Sequence, residues 1–396
     1  MGIPFIDLKT QFAEIEPAVR ERIDAVLAHG RYIMGPEVGE LECKLAGYVG
    51  TKYAVSCSSG TDALLLALMA KGIGPGDAVF TSTYTFVATA EVISLVGATP
   101  IFVDIDPVTF NIDLEKLELA LEAFAKKDPS IHPLPSNVGE LTAKGIIPVD
   151  LFGLMPDYDR IEALAKKHGV FVLEDAAQSF GAQQGGTRAC SRGDVAATSF
   201  FPAKPLGCYG DGGMVFTDSE ELNDAMISVR VHGKGVDKYD NVRVGLNARM
   251  DTLQAGVLLA KFERFPSEVE KRQVVANRYC EALQTKLGGA ITPPSIPEGF
   301  LSGWAQYTVR LNEFASDRDG IQARMKEAGV PTAVYYGKPL HVQGAYAPLG
   351  YAASDFPESM LAADQVLSLP FSPDVQPETI TTVVDALAKA LEAVPA

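Results

Sequence analysis

Apolar residues recur at helical spacing between residues 12 and 29 (Phe12, Ile15, Val19, Ile23, Val26, Leu27), which predicts an amphipathic helix. A turn-rich break, GRYIMGPEV, separates it from a second helical stretch at Val38–Val49. From there short apolar runs alternate with longer amphipathic ones. The short runs predict strands at Tyr53–Cys57, Ala78–Phe80, Ile101–Val103, Ile146–Pro148, Val170–Leu173, Ala196–Phe200 and Gly213–Phe216. The longer ones predict helices at Thr61–Lys71, Ala88–Val96, Leu114–Ala125, Tyr158–His168 and Glu220–Val229. Strands that are apolar throughout and alternate with helices argue for an α/β fold with a mostly parallel sheet covered on both faces.

Two stretches interrupt this rhythm. Lys126–Glu140 holds three prolines and little apolar periodicity, so it reads as a surface loop or insertion. Gly233–Asn247 is polar, contains glycine and lacks periodicity; a loop of that length invites a functional reading. Beyond about Phe265 the texture changes. A long helix over Ser267–Leu287, a strand over Gln306–Leu311, a helix over Asp317–Ala328, a short strand over Thr332–Tyr336 and a closing helix over Thr379–Leu391 predict a smaller α+β domain. The expected division is 1–260 for the large domain with its N-terminal segment and 261–396 for the small one.

Composition removes several function classes. The 396 residues are 47% hydrophobic and 21% charged, enough to bury large cores. Lys plus Arg number 34 against 50 Asp plus Glu, a formal charge of −16, so no basic face for nucleic acid is expected. If a ligand is anionic, local groups must hold it. Five scattered cysteines without a CxxC pair argue against a disulfide framework and for a reducing cytoplasm. Five histidines, none in HExxH or CxxH spacing, make a metal site unexpected. No apolar run is long enough to span a membrane, and the N-terminus does not read as a secretory signal.

Three turns at the ends of predicted strands carry candidate chemistry, and strand ends are where α/β sheets place ligands. Ser58-Ser59-Gly60-Thr61-Asp62 lies between strand and helix, where small residues let backbone amides approach an anion; alone such a motif is most often a plain N-cap. Glu174-Asp175-Ala176-Ala177-Gln178 follows an apolar strand. A desolvated carboxylate there suits a protonated ring nitrogen, but also a helix cap or a metal. Lys204 sits among Phe201-Pro202-Ala203 and Pro205-Leu206-Gly207, with Ser199 just upstream. A surface lysine is one reading, and an amine of depressed pKa that attacks an aldehyde is the other. Taken together, a phosphate cup, an aspartate and a lysine are the parts a pyridoxal-phosphate enzyme needs. No GxGxxG follows the first strand, which argues against a nicotinamide dehydrogenase.

With IPFIDLKTQ, GPEVGELE, SSGTDALLLAL, GPGDAVFT, EDAAQSFGA, SFFPAKPLGCYGDGG and VGLNARMDTLQAG, the chain resembles the DegT-like nucleotide-sugar aminotransferases over nearly its whole length. The resemblance implies fold type I of the pyridoxal-phosphate enzymes and pyridoxal 5′-phosphate as cofactor. It implies that Lys204 is the Schiff-base lysine, that Asp175 meets the pyridine nitrogen and that Gln178 lies near the ring hydroxyl. It assigns Ser59, Gly60, Thr61 and Ser199 to the phosphate cup and Phe86 to ring stacking, although Phe86 alone could be a core aromatic. Asn247 matches a phosphate contact given by a neighbouring subunit, so a homodimer with shared active sites is implied. The implied reaction is ping-pong amination of a nucleotide-linked keto sugar by L-glutamate.

Within that family, SFFPAKPLGCYGDGG is most similar to members that aminate C3 of UDP-2-acetamido-2-deoxy-3-oxo-glucuronate for surface polysaccharide, including lipopolysaccharide O-antigen. The alternatives are a C3 or C4 aminotransferase on a dTDP- or UDP-linked keto-deoxysugar and, further off, a dehydratase or non-catalytic binding member. Lys204 argues against the dehydratase, which has His there. Arg249 is the candidate cation for a uronate carboxylate, or else a structural ion-pair partner. Tyr335 and Tyr336 fall in a segment near the sugar, where the family often has His in place of Tyr335. His341 is either a substrate contact or a packed histidine.

Overall fold

The computed structural model describes residues 2–237 and 239–394. The helices α1 (Leu8–His29) and α2 (Pro36–Val49) precede the first strand. Then come β1 (Tyr53–Cys57), α3 (Gly60–Ala70), β2 (Asp77–Ser82), α4 (Ala88–Leu95), β3 (Thr99–Val103), α5 (Leu114–Lys126), β4 (Thr142–Ile147), α6 (Tyr158–His168) and β5 (Phe171–Asp175). A two-residue hairpin, β6 (Gln183–Gln184) and β7 (Thr187–Arg188), leads to β8 (Val195–Ser199), β9 (Gly213–Thr217) and α7 (Glu220–Arg230). Seven of these strands form one sheet in the order β1-β9-β8-β5-β4-β2-β3. All neighbours pair in parallel except β9, which is antiparallel to both β1 and β8.

Both faces of this sheet are dry, which is why its strands are apolar throughout. Side chains alternate across a strand. Val55, Val79, Leu173 and Val215 accordingly pack against Leu64, Leu68, Val92, Ile93, Met226 and Val229 of α3, α4 and α7. On the opposite face Phe80, Ile101, Ile146 and Val172 meet Leu117, Leu121, Tyr158 and Ile161 of α5 and α6. Met214 and Phe216 meet Leu41 and Leu45 of α2 there.

The remaining elements are α8 (Thr252–Phe262), α9 (Phe265–Leu287), β10 (Phe300–Leu301), β11 (Tyr307–Arg310), α10 (Arg318–Glu327), α11 (Pro357–Gln365), β12 (Val366–Leu369) and α12 (Pro377–Glu392). The antiparallel pair β11–β12 is covered by α9, α10 and α12 around Tyr279, Leu283, Ile321, Val383 and Leu387. Helix α9 joins the two cores, with Phe265 and Val269 in the core of the large sheet and Val275 onward in the smaller one.

Several expectations need correction. The strand expected at Thr332–Tyr336 is a loop in which only Ala333 bridges to Ser368. Helices α8 and α11 and strand β12 carry no clear periodic signal. In α8 every residue from Ala255 to Lys261 is buried, which erases the polar face that marks an amphipathic helix. Helix α1 begins at Leu8, where the Asp7 side chain accepts from the amide of Thr10 and caps the first turn. The proline-rich stretch at 126–140 is irregular as expected, yet His132 is buried with Nε2 2.9 Å from the Phe102 carbonyl oxygen.

Candidate active site

The carboxyl ends of β1, β2, β5 and β8 open on one edge of the sheet. Turns 58–61, 83–89, 175–178 and 199–204 meet there around a cavity of about 460 Å³. Two glycines permit the close approach. A Cβ on Gly60 would stand 2.6 Å from Cβ of Ser199, and one on Gly213 would stand 2.2 Å from the Ser59 carbonyl oxygen. The N-terminus of α3 can therefore abut the end of β8. Ser59 takes the amides of Asp62 through its hydroxyl (3.0 Å) and of Ala63 through its carbonyl (3.0 Å). The first amides of a helix have no partner within it. Those of Gly60 and Thr61 border the cavity beside Ser199 and give it a local positive pole in an acidic chain.

Asp175 ends β5 and is 4% exposed. Its Oδ2 accepts from the Thr89 hydroxyl at 2.8 Å and its Oδ1 from the Ala177 amide at 3.2 Å. Burial raises its pKa, while those two bonds and the nearby Lys204 ammonium oppose the rise. Lys204 is held in its turn by the bond from its amide to the Phe201 carbonyl (2.8 Å). Lys204 is half-buried and lines the cavity. Burial pushes its pKa down to about 8 against the pull of Asp175. Gln178 is buried, its Oε1 accepts from the Phe152 amide at 2.9 Å, and it lines the cavity together with Tyr336.

Ten candidate side chains or turns line this one cavity: Ser59, Gly60, Thr61, Phe86, Asp175, Gln178, Ser199, Lys204, Tyr335 and Tyr336. Phe86 is not a core aromatic. Its ring is 54% exposed at the cavity and lies 6.2 Å from that of Tyr336. Three candidates fall elsewhere. His341 is 2% exposed, with Nδ1 2.7 Å from the Thr83 hydroxyl and its ring packed edge-on against Phe356. Asn247 and Arg249 pair with each other, Arg249 Nε donating to Asn247 Oδ1 at 2.9 Å. They stand on an outward hairpin closed by the bridges Val231–Asn247 and Lys234–Asn241. Val236, Val242 and Val244 on that hairpin are exposed.

The structure adds residues that sequence reading missed. Thr85 and Thr89 line the cavity one turn apart, and the run TYTFVATA that holds Phe86 could have flagged them. Phe5 and Ile6, within the IPFIDLKTQ stretch, and Gln306, which lies in no motif, come from remote parts of the chain.

Residues 13–388 match the model of the DegT/DnrJ/EryC1/StrS aminotransferase family. The chain belongs to that family. Among its members, UDP-2-acetamido-2-deoxy-3-oxo-D-glucuronate aminotransferase of Pseudomonas aeruginosa is 47% identical over 385 residues, 97% of this chain and 99% of that one. The crystal structure of a DegT/DnrJ/EryC1/StrS aminotransferase from Brucella abortus superimposes with a TM-score of 0.90 at 46% identity, covering 97% of this chain and 98% of the other. NtdA of Bacillus subtilis, solved with bound cofactor PMP, superimposes with a TM-score of 0.83 at 30% identity, covering 98% and 83%. The chain is thus a fold-type-I aminotransferase, with a mostly parallel sheet and the strand-end cavity that goes with it.

Proposed function

We propose that this aminotransferase uses pyridoxal 5′-phosphate to move the amino group of L-glutamate onto C3 of a UDP-linked 2-acetamido-2-deoxy-3-oxo-glucuronate. The observation that carries the reading is the convergence of Lys204, Asp175 and the Gly60–Thr61 amides on one cavity. The residues fit the cofactor. The cradle that a Cβ on Gly60 would fill, with the Ser59 and Ser199 hydroxyls beside it, suits a phosphate. Buried Asp175 suits a ring N–H cation, and the exposed face of Phe86 suits a flat ring. When bound, pyridoxal phosphate supplies an aldehyde for a lysine amine and a protonated ring that draws off electrons.

The chain's own residues do the rest in this reading. Lys204 Nζ would hold the cofactor's aldehyde carbon; with a pKa of about 8 it is neutral often enough near neutral pH to act as that nucleophile, and basic enough to take the donor's α-proton and return it. Asp175 keeps the ring nitrogen protonated, with Thr89 and the Ala177 amide holding its carboxylate in place. Gln178 and Tyr336 orient the ring edge. Tyr335 and Tyr336 face the sugar; His341 acts only from behind them.

The active unit in this reading is a homodimer in the cytoplasm. Asn247 and Arg249 serve the partner's cavity, Asn247 at the phosphate and Arg249 at the uronate carboxylate. The exposed apolar residues of their hairpin support this. The cofactor domain runs over 1–260 and the small domain over 261–396, the boundary falling in the last turn of α8. The product would feed surface polysaccharide, including lipopolysaccharide O-antigen. The 47% identity to the Pseudomonas enzyme supports the choice of sugar. The test is a half-reaction screen. Enzyme carrying the aminated cofactor is mixed with keto nucleotide sugars, and return of the aldehyde-form absorbance is followed. The UDP-3-keto uronate is expected to react fastest. A 4-keto sugar reacting faster would overturn the C3 assignment.

A further inference from the structure

Segment 332–339, which carries Tyr335 and Tyr336 of the cavity wall, lies in no helix or sheet ladder; near its start Ala333 bridges to Ser368 and the Thr332 carbonyl accepts from Gln322 Nε2 at 3.1 Å. At Tyr335 and Tyr336 it is held by the chain just after β2. Tyr84 is 1% exposed and does not line the cavity. Its hydroxyl donates to the Tyr335 carbonyl at 3.0 Å and accepts from the Tyr336 amide at 2.8 Å. One hydroxyl thus satisfies the amide of one residue and the carbonyl of the residue before it. Both of those backbone groups would otherwise be left without these partners in a largely buried place. The Tyr84 ring also packs edge-on against that of Tyr336, centroids 6.3 Å apart. A few residues on, Thr83 grips the same segment again. Its carbonyl accepts from the Leu340 amide at 2.8 Å, and its hydroxyl meets His341 Nδ1.

We propose that Tyr84 is a positioning residue of the active site, fixing the 335–336 backbone so that the Tyr336 side chain keeps its place in the cavity wall. The Tyr84 hydroxyl holds the Tyr336 backbone, Tyr336 and Gln178 line the same cavity, and Gln178 is anchored on the Phe152 amide. The clamp joins residues that lie 252 positions apart. It ties the wall supplied by the C-terminal part of the chain to the strand end that carries Phe86. This inference rests on the aminotransferase reading above for its catalytic consequence, but its structural half stands alone.

The experiment uses holoenzyme of the wild type, Tyr84→Phe, Tyr336→Phe and the double variant. Tyr84→Phe keeps the ring and its packing, so it is expected to fold. Amide exchange read by mass spectrometry is expected to speed up at least ~10-fold in peptides covering 333–338 and to stay unchanged in the large sheet, because the Tyr336 amide loses its acceptor. Unchanged exchange there would overturn the clamp. In turnover with the 3-keto uronate, each single variant is expected to lose about 10- to 50-fold in kcat, and the double variant to be no worse than the poorer single one, as for two residues acting along one path. Losses that multiply in the double variant would reduce Tyr84 to a merely structural role. A wild-type enzyme inert toward every keto sugar would overturn the substrate reading alone, and the exchange experiment would still decide the clamp.

Discussion

The cavity has two walls built by different rules. The cradle (Ser59, Gly60, Thr61, Asp175, Ser199, Lys204) consists of short turns at the carboxyl ends of β1, β5 and β8, each following an apolar run. The facing wall (Phe5, Ile6, Gln306, Tyr335, Tyr336) is gathered from the N-terminal segment and from the chain beyond β10, and none of its members lies in a regular element. The cradle residues are fixed by the sheet itself. The facing wall is fixed by isolated long-range bonds, such as Tyr84 to Tyr335 and Tyr336, and the Phe371 amide to the Phe5 carbonyl at 3.0 Å. The lesson is a separation of tasks. On the proposed reading, chemistry common to both half-reactions sits on the rigid part, and recognition of one substrate sits on the part held by few bonds.

If that separation is right, variants of the two walls must fail differently. The largest loss is expected from Lys204→Ala, about 10³- to 10⁴-fold in both half-reactions, read by single-turnover absorbance. A Lys204→Ala enzyme that still turned over would remove the cradle from the chemistry. Next comes Asp175→Asn, which removes the charge while keeping the shape. Turnover should fall about 10²- to 10³-fold with both substrates, while Thr89→Ala, which removes only one bond to that carboxylate, should cost less. Smaller and one-sided is Tyr335→Ala. KM for the keto sugar should rise about 10-fold while the glutamate half-reaction and cofactor affinity stay within about twofold. Equal damage to both half-reactions would merge the two walls into one functional unit.

The smallest effect concerns stability and has a defined sign. Lys204 has a folded-state pKa of about 8, below its ordinary value of 10.5, so the unfolded chain binds more protons between those two values. The cofactor-free protein should therefore gain stability as pH rises from about 8 toward 10.5. Below pH 8 it carries the full penalty of a charged amine in the cavity. Lys204→Met should raise the Tm of the cofactor-free protein at pH 7, and that gain should shrink as pH climbs past 8. A gain independent of pH would mean that Lys204 is not held in a desolvating site.

Most of the large sheet and its cradle was legible along the chain. Tyr53–Cys57 and Tyr158–His168 run between the expected residues, and the other strands and helices of the sheet shift by a few residues at their ends. A strand buried on both faces is an apolar run, and the turn after it is local, so its chemistry can be read in place. The same logic failed at α8, buried on all sides, and at the loop misread as a strand over Thr332–Tyr336. His341 shows the limit clearly. A histidine close in sequence to cavity residues points instead into the seam with Thr83 and Phe356, because only the packing of 335–341 onto the end of β2 decides its direction.

The amino-acid sequence by itself determined the order of the main strands and helices of the large sheet, the family, and Lys204, Asp175 and the Ser59–Thr61 turn as candidates, since each rests on contiguous residues and on the rule that parallel strands present their carboxyl ends on one edge. Only the tertiary structure decided the facing wall: that Phe5 and Gln306 meet Tyr335 and Tyr336 across the cavity, that His341 lies behind it, and that Tyr84 grips the loop between them. Those contacts join residues far apart in the chain through single hydrogen bonds and ring packing. Such bonds leave no period in the sequence, because nothing in the local pattern encodes which distant segment supplies the partner.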